Sequence, residues 1–523
     1  HTGPVRAAAL GTAERRIGMN APLSSMSGPF TALGHVAGRL PGTAYSFARR
    51  ILYVTPEMTD FIKSGGLGDV SAALPRSLRR LYDVRVLIPG YQQVTANRPD
   101  MEIVARLDAA FGLPACDLGR IVSADGLVIY VLVCPQLYDR DGSAYGDRSG
   151  TDWPDNDARF ARLGLAAAQI AAGVPALGWT ADLLHLNDWP SALASAYLAW
   201  AGTPCPSVLT IHNLAYQGLF DRGRTAALGV PDSAFQVEGV EFYGKLSFLK
   251  AGIVYASHVT TVSDTYAHEI TTPEFGCGLD GLLRRRADEG CLTGILNGID
   301  ETWDPRTDAH LGNPFGTEDM KGKRANAEDV RRDFGLAVSR GPLFAVVSRL
   351  VHQKGVDLTI EATETIVRQG GQVVVTGRGE QRFESDLQSL ALRYPGRVGV
   401  RIGFSEATAR RMFAGSDFLL MPSRFEPCGL SQMYAQRFGS LPIARQTGGL
   451  ADTIEDGVTG FLFKDASLGA MLGAIYRAVD TFRSRRALNA MRKAAMGRSF
   501  GWTRSAAGYG GIYERLSVMA GSG

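Results

Sequence analysis

Short runs that are apolar at nearly every position, not at alternate ones, recur along this chain, with segments of helical spacing between them. A strand that can be buried on both faces belongs inside a parallel sheet, and parallel neighbours need crossovers long enough to hold a helix. Runs at 50–55, 84–90, 128–134, 183–186, 207–211, 259–262 and 292–296 read as strands of one sheet. Those at 343–347, 372–376, 398–402, 418–421 and 441–444 read as strands of a second. Helical stretches at 158–172, 356–368 and 405–413 fall between them, which is the order of doubly wound α/β sheets. A chain of 523 residues is too long for one ordinary core and suits two domains. The expected division is 49–296 and 297–502, with a hinge in the NGID stretch near 297–303 and a closing helix at 503–523.

Ligands of open α/β sheets bind beyond the carboxyl ends of the strands, so the residues just past each run carry the functional signal. After the run at 343–347 comes SRLVHQKG, with Arg349 and Lys354; after 418–421 comes PSRFEPCGLSQ, with Glu426. A guanidinium can grip a diphosphate through a planar fork, an ammonium adds a mobile point charge, and a carboxylate accepts two sugar hydroxyls. The Cys428–Gly429–Leu430 turn opens an expected helix at 430–438, whose first N–H groups would face phosphate oxygens. A competing structural reading makes Arg349 and Glu426 an ion pair and Gly429 a simple turn. The clustering of all these groups at strand ends favours a sugar-diphosphate site.

The first half carries a matching device. The run at 50–55 leads through Pro56 and Glu57 to KSGGLGDV at 63–70, and a helix is expected from there to about Leu81. Gly65 and Gly66 allow backbone N–H groups to approach a phosphate, and Lys63 supplies charge. A dinucleotide-binding turn would need a third glycine where Ser71 stands and an acid closing the next strand, and a Walker loop would place its lysine after the last glycine.

KSGGLGDV, DWPDNDARF (152–160), TIHNLAYQG (210–218), EFYGKLSFLKAGI (241–253), VVSRLVHQKG (346–355), PSRFEPCGLSQMY (422–434) and TGGLADT (447–453) resemble the ADP-glucose-using glycogen and starch synthases, glycosyltransferase family five. The resemblance covers about Ile51 to the C-terminus. It implies a GT-B fold, two Rossmann-like domains facing across a cleft, with the last helix returning to the first domain. It also implies retaining transfer of glucose from ADP-glucose to the 4-hydroxyl of an α-1,4-glucan, glycogen or starch. His212, Arg349, Lys354 and Glu426 are then the catalytic set. Lys63, Gly65, Gly66, Asp69, Tyr145, Asp188, Asn213, Asn297, Cys428, Gly429 and Leu430 are the expected substrate-binding groups, with Trp153, Asp155 and Asn156 nearby. In LHLNDWP, relatives carry a second histidine or an asparagine before Asp-Trp and often another histidine after it; this chain has Asn187 and Pro190 there, so only Asp188 and Trp189 carry across. Tyr434 stands eight positions after Glu426, where many GT-B enzymes have a second glutamate. A UDP-glucose-using relative of the same fold and a catalytically silent glucan-binding homologue are the alternatives.

Composition excludes other classes. A net charge of +3 leaves no nucleic-acid footprint, and no apolar stretch reaches membrane-spanning length. The six cysteines show no CxxC pair, which fits a reducing cytoplasm and no metal. No cofactor is expected beyond the donor substrate, and any homo-oligomer is expected to be weak. Residues 1–48 hold arginines but one acid, Glu14, and read as a disordered extension; the alternative is a plastid transit peptide.

Overall fold

The computed structural model describes residues 49–96 and 98–520, so the reading of 1–48 lies outside the described residues. The chain runs through β1 (Arg50–Val54), β2 (Asp83–Pro89), β3 (Glu102–Leu107), β4 (Cys116–Val122), β5 (Val128–Val133), β6 (Leu183–Asn187) and β7 (Ser207–Ile211). A small antiparallel sheet of β8 (Leu219–Asp221), β9 (Glu241–Phe242) and β10 (Lys245–Ser247) follows. After β11 (His258–Thr261) and β12 (Leu292–Gly294), the first large sheet is complete, in the order β12-β11-β7-β6-β1-β2-β5-β4-β3. The second sheet contains β13 (Leu343–Val347), β14 (Gln372–Gly377), β15 (Val398–Ile402), β16 (Phe418–Met421), β17 (Leu441–Arg445) and β18 (Phe461–Phe463), ordered β15-β14-β13-β16-β17-β18.

The unbroken apolar runs have the cause expected of them. Every residue of β6, β7 and β13 is buried, because helices cover both faces of these parallel strands. β3 and β4 were not anticipated. They extend the first sheet as an antiparallel edge and are exposed at several positions, so their apolar signal is diluted. The eight to thirteen residues of most crossover helices match the run-helix-run spacing.

Each sheet reverses its winding within its strand order. In the first sheet β1 lies between β2 and β6; in the second β13 lies between β14 and β16. Such reversal points leave a crevice beyond the strand carboxyl ends.

The helix Trp502–Ala520 follows the second sheet in the chain but buries Ala506, Tyr509, Ile512 and Tyr513 in the core of the first. Their spacing of three and four residues makes one apolar face. His185 of β6 is fully buried there, its Nδ1 2.6 Å from the Tyr513 hydroxyl and its Nε2 2.8 Å from Thr210 Oγ1. Burial pulls its pKa down to about 3, so this histidine is a neutral core group.

Candidate active site

Arg349 and Lys354 follow β13 and Glu426 follows its neighbour β16, so the winding reversal brings them to one crevice. The two loops touch closely. Gly355 has φ +67°, and a Cβ there would lie 2.1 Å from the Pro422 carbonyl oxygen, so only glycine fits between them. Lys354 Nζ donates to Glu426 Oε2 at 2.5 Å, and Ser423 Oγ donates to the same oxygen at 3.0 Å. The structural ion pair is therefore Lys354–Glu426, not the Arg349–Glu426 pair weighed from sequence. Arg349 is exposed and donates to Tyr216 Oη at 3.2 Å and Gln353 Oε1 at 3.4 Å. Tyr216 comes from the first half, four residues past His212, and this bond spans the cleft.

The helix after Gly429 runs over Ser431–Arg437, one residue shorter at each end than expected, with Leu430 at its N-cap position. Cys428 is buried and its thiol is pushed up to about 12, so it offers backbone, not a nucleophile. Asn297 is buried, and its Oδ1 has no hydrogen-bond partner within the protein. Tyr434 stacks on Trp303 with ring centroids 3.6 Å apart, filling the place of a second glutamate with an aromatic pair.

In the first half the helix Gly66–Leu78 opens from the glycine turn, and a Cβ on Gly66 would meet Leu430 Cδ1 at 3.8 Å. The glycine turns of the two halves thus face each other. Lys63, expected to supply charge to a phosphate, pairs with Asp69 at 2.7 Å, and Asp69 also accepts from Thr59 Oγ1 at 3.1 Å. The backbone N–H groups of Ser64 and Gly65, expected to face phosphate, donate to Glu57 Oε2 at 2.5 and 3.2 Å. Tyr145 Oη reaches Glu57 Oε1 at 3.4 Å. Asp155 binds Arg140 and Asn156 Nδ2 donates to the Tyr145 carbonyl, so both brace the loop carrying Tyr145; Trp153 stacks beneath Arg140.

Asp188 begins the helix after β6 with φ +53°, a left-handed conformation uncommon for any residue but glycine. Its Oδ1 accepts from the N–H groups of His212 at 2.7 Å and Asn213 at 3.4 Å. Asn187 Nδ2 donates to the Val54 carbonyl, which turns its Oδ1 toward Tyr53 Oη and His212 Nε2, both 3.0 Å away. His212 therefore carries its proton on Nε2 and keeps Nδ1 as an acceptor. Burial lowers its pKa to about 3, so it acts as a neutral ring.

Two buried acids thus perform the same task on two loops. Glu57 holds consecutive N–H groups of the glycine turn, and Asp188 holds consecutive N–H groups after β7. Burial, opposed by those N–H bonds, pushes each up to about 7. Glu57, Asn187 and Tyr216 carry no role in the sequence reading; an acid three residues past β1, on the loop that leads to the glycine turn, is the available signal. The second half is held to the first by Ser263 Oγ on the Pro427 carbonyl, Thr265 on Asp452, and Glu269 Oε1, which accepts from Thr447 Oγ1 and Gly448 N. Glu269 and Asp452 were likewise not anticipated.

The raised Glu57 carboxyl sets a pH dependence. Its folded pKa of about 7 exceeds the ordinary 4.5, so its favourable contribution is present below pH 4.5 and is lost as pH rises through 7. Glu57→Gln cannot ionise. Melting temperatures at pH 5 and pH 8 should show the variant gaining on the parent chain with rising pH, by a few kcal/mol at most, at about 1.4 kcal/mol per tenfold change in proton affinity. A flat or reversed difference would mean the two N–H bonds outweigh burial.

Residues 50–285 match the model for the starch synthase catalytic domain, and 329–494 match that for glycosyl transferases group 1. The chain is 58% identical over 491 residues to the glycogen synthase of Pseudomonas putida, covering 93% of this chain and 95% of that one. It is 59% identical to glycogen synthase 1 of Bradyrhizobium diazoefficiens, over 88% of this chain and 100% of the other. It belongs to the glycogen synthase family. The catalytic domain of starch synthase IV from Arabidopsis thaliana, bound to ADP and acarbose, superposes with a TM-score of 0.79 at 29% identity, over 90% of this chain and 99% of that one. Sucrose-phosphate synthase from Thermosynechococcus elongatus shares the fold alone, with a TM-score of 0.57 at 17% identity. The two facing Rossmann-like sheets are the GT-B fold, and the protein is a glycosyltransferase.

Proposed function

We propose that this glycogen synthase transfers glucose from ADP-glucose to the 4-hydroxyl at the non-reducing end of an α-1,4-glucan, with retention and release of ADP. The observation that carries the assignment is the convergence of Arg349, Lys354 and Glu426 at the β13/β16 reversal, opposite the His212 loop and joined to it through Tyr216. The starch synthase relative that holds ADP and acarbose supports this reading.

In this proposal Arg349 and Lys354 bind the diphosphate and stabilise the charge that grows on it as the sugar C1–O bond breaks. Lys354 exchanges part of its bond with Glu426 for phosphate, which frees a Glu426 oxygen for a donor hydroxyl. N–H groups near Gly429 and Leu430 and the facing Gly65–Gly66 turn line the phosphates. His212 offers Nδ1 to a glucose hydroxyl, and Asn213 and Asn297 flank the sugar. Asp188 keeps the strand end rigid and Glu57 does the same for the glycine turn. Asp69 and Tyr145 lie toward the acceptor; Lys63 acts by holding Asp69. The acceptor oxygen bonds to C1 on the face that ADP leaves, and its proton passes to the departing phosphate oxygen. The reaction so written uses no cofactor or metal, the two cations of the second half taking that electrostatic role. A cytoplasmic setting is part of the proposal, supported by six cysteines that all remain free thiols.

Turnover with ADP-glucose is expected to exceed that with UDP-glucose when glycogen is the acceptor and donors are compared at equal concentration. Equal or faster use of UDP-glucose would reassign the donor, and no transfer from either would leave a glucan-binding homologue.

A further inference from the structure

Lys354 and Glu426 stand on separate loops, one after β13 and one after β16, and the proposed reaction draws Lys354 partly away from Glu426 toward phosphate. A second connection has to keep the two loops in register while that bond is exchanged. The Gly355–Pro422 approach sets how near the loops come, but a steric contact has no direction. Direction comes from Arg424, two residues before Glu426. Its Nη1 donates to the His352 carbonyl at 2.8 Å and to Asp357 Oδ1 at 2.9 Å, and its Nη2 donates to Asp357 Oδ2 at 2.6 Å. His352 opens the short turn that carries Lys354, and Asp357 lies in the first turn of the helix Val356–Arg368 that follows it. One side chain therefore grips the loop on both sides of Lys354.

Backbone and neighbouring groups complete the clamp. Arg424 N donates to the Gln353 carbonyl at 2.8 Å, and Gln353 Nε2 donates back to the Phe425 carbonyl at 3.2 Å. Arg445 of β17 donates through Nη1 to the Arg424 carbonyl and through Nε to the Lys464 carbonyl, which ties the clamp to the sheet. The planar fork of a guanidinium meets a carboxylate at two points at once, which an ammonium cannot do. The Arg424 guanidinium holds the Asp357 carboxyl below the usual carboxylate range, so the pair stays ionised at neutral pH. Both terminal nitrogens of Arg424 are thereby committed to the loop.

We propose that Arg424, acting through Asp357 and the His352 carbonyl, is a positioning residue for glucosyl transfer: it keeps the Lys354 turn in register with Glu426 while Lys354 exchanges that carboxylate for the diphosphate of the donor. The inference rests on the proposed function, since it takes the donor to be a sugar diphosphate held by Lys354. Arg424 touches neither donor nor acceptor in this account. Its effect is one of placement, and a misplacement of roughly 1 Å at a reacting group costs a factor on the order of 100 in rate.

Arg424→Gln and Asp357→Asn open the clamp from opposite sides. Each should lower kcat/KM for ADP-glucose by about ten- to hundredfold and weaken ADP binding measured by calorimetry, with the KM for glycogen unchanged. Arg424→Lys should recover part of the loss, because it keeps the charge and loses the fork. Asp357→Asn is the decisive variant. Were Arg424 itself a diphosphate ligand, weakening its hold on Asp357 would leave ADP binding intact or tighten it, and that result would overturn the proposal. A parallel rise in the KM for glycogen would also overturn it, since a general loosening spares neither substrate. Melting temperatures give a donor-free reading: the clamp sets up the Lys354–Glu426 bond, so Arg424→Gln combined with Lys354→Met should lose less than the sum of the two single losses. Strictly additive losses would mean that the clamp and the bond are independent. Melting needs no turnover, so a parent chain that transfers no glucose would count against the proposed function and leave the clamp separately tested.

Discussion

Replacing Arg349 by alanine is expected to lower kcat by about two orders of magnitude or more, the scale of losing one preorganised charge stabiliser. The melting temperature should move by no more than about 1–2 °C, because the side chain is exposed and its partners, Tyr216 and Gln353, remain accessible to water. Lys354→Ala should cost a similar factor in turnover but behave differently in stability. Its ammonium is the charge partner of Glu426, whose side chain is only 6% exposed, and removing it leaves a buried carboxylate with the Ser423 hydroxyl alone. Loss of one member of a buried pair costs about 3–5 kcal/mol, so this variant should melt several degrees lower. Lys354→Arg should recover much of the stability and less of the rate. Paired measurements of kcat and melting temperature decide it. A loss of tenfold or less in both alanine variants would remove these cations from the transition-state account.

The contrast between the two cations also marks what sequence could and could not reveal. The positions of Arg349, Lys354 and Glu426 past strand ends were legible because β13 and β16 are unbroken apolar runs, and a doubly buried strand admits little else. Their partners were not. Lys354 and Glu426 are 72 residues apart, and nothing in either segment distinguishes a Lys–Glu pair from an Arg–Glu pair until the Gly355–Pro422 contact fixes the loops. Lys63 precedes a glycine turn, which is the pattern of a charge supplied to phosphate, and no local signal marks Asp69, one helical turn into the next element, as its partner. The role of Glu57 is hidden for a related reason. Its function lies in backbone N–H groups, which carry no residue-specific signal. β3, β4 and the three-stranded sheet were missed because short strands with an exposed face lack the continuous hydrophobicity that marked the others.

Removal of residues 502–520 is expected to abolish folding of the first half, and activity with it. Tyr509 and Tyr513 are fully buried in that core, and Tyr513 packs edge-on to Tyr82 with centroids 5.4 Å apart. Truncation would strip the apolar cover from β1 and β6 and leave the His185 ring, buried completely, with one of its two partners missing. Each large aromatic withdrawn from a core costs about 3–5 kcal/mol, and two of them approach the whole stability of a domain. Tyr513→Phe isolates the polar part: it keeps the ring and removes the bond to His185 Nδ1, for a loss of about 1–3 kcal/mol. Soluble expression, circular dichroism and glucosyl transfer would test both. A truncated chain that stays monomeric, melts at the parent temperature and turns over normally would show that the helix is dispensable.

That final helix also gives protein synthesis a say in the order of assembly. The last strand of the first sheet ends at Gly294, yet the helix that closes its core begins at Trp502. At roughly 5–20 residues per second, about 10–40 s separate their emergence from a ribosome. During that interval the nascent first half presents an uncovered aromatic groove around His185, while the second half, whose strands all lie between residues 343 and 463, can complete its sheet without waiting. The half that begins first therefore finishes last, and a chaperone with an affinity for exposed aromatic surface has its natural window between those two events.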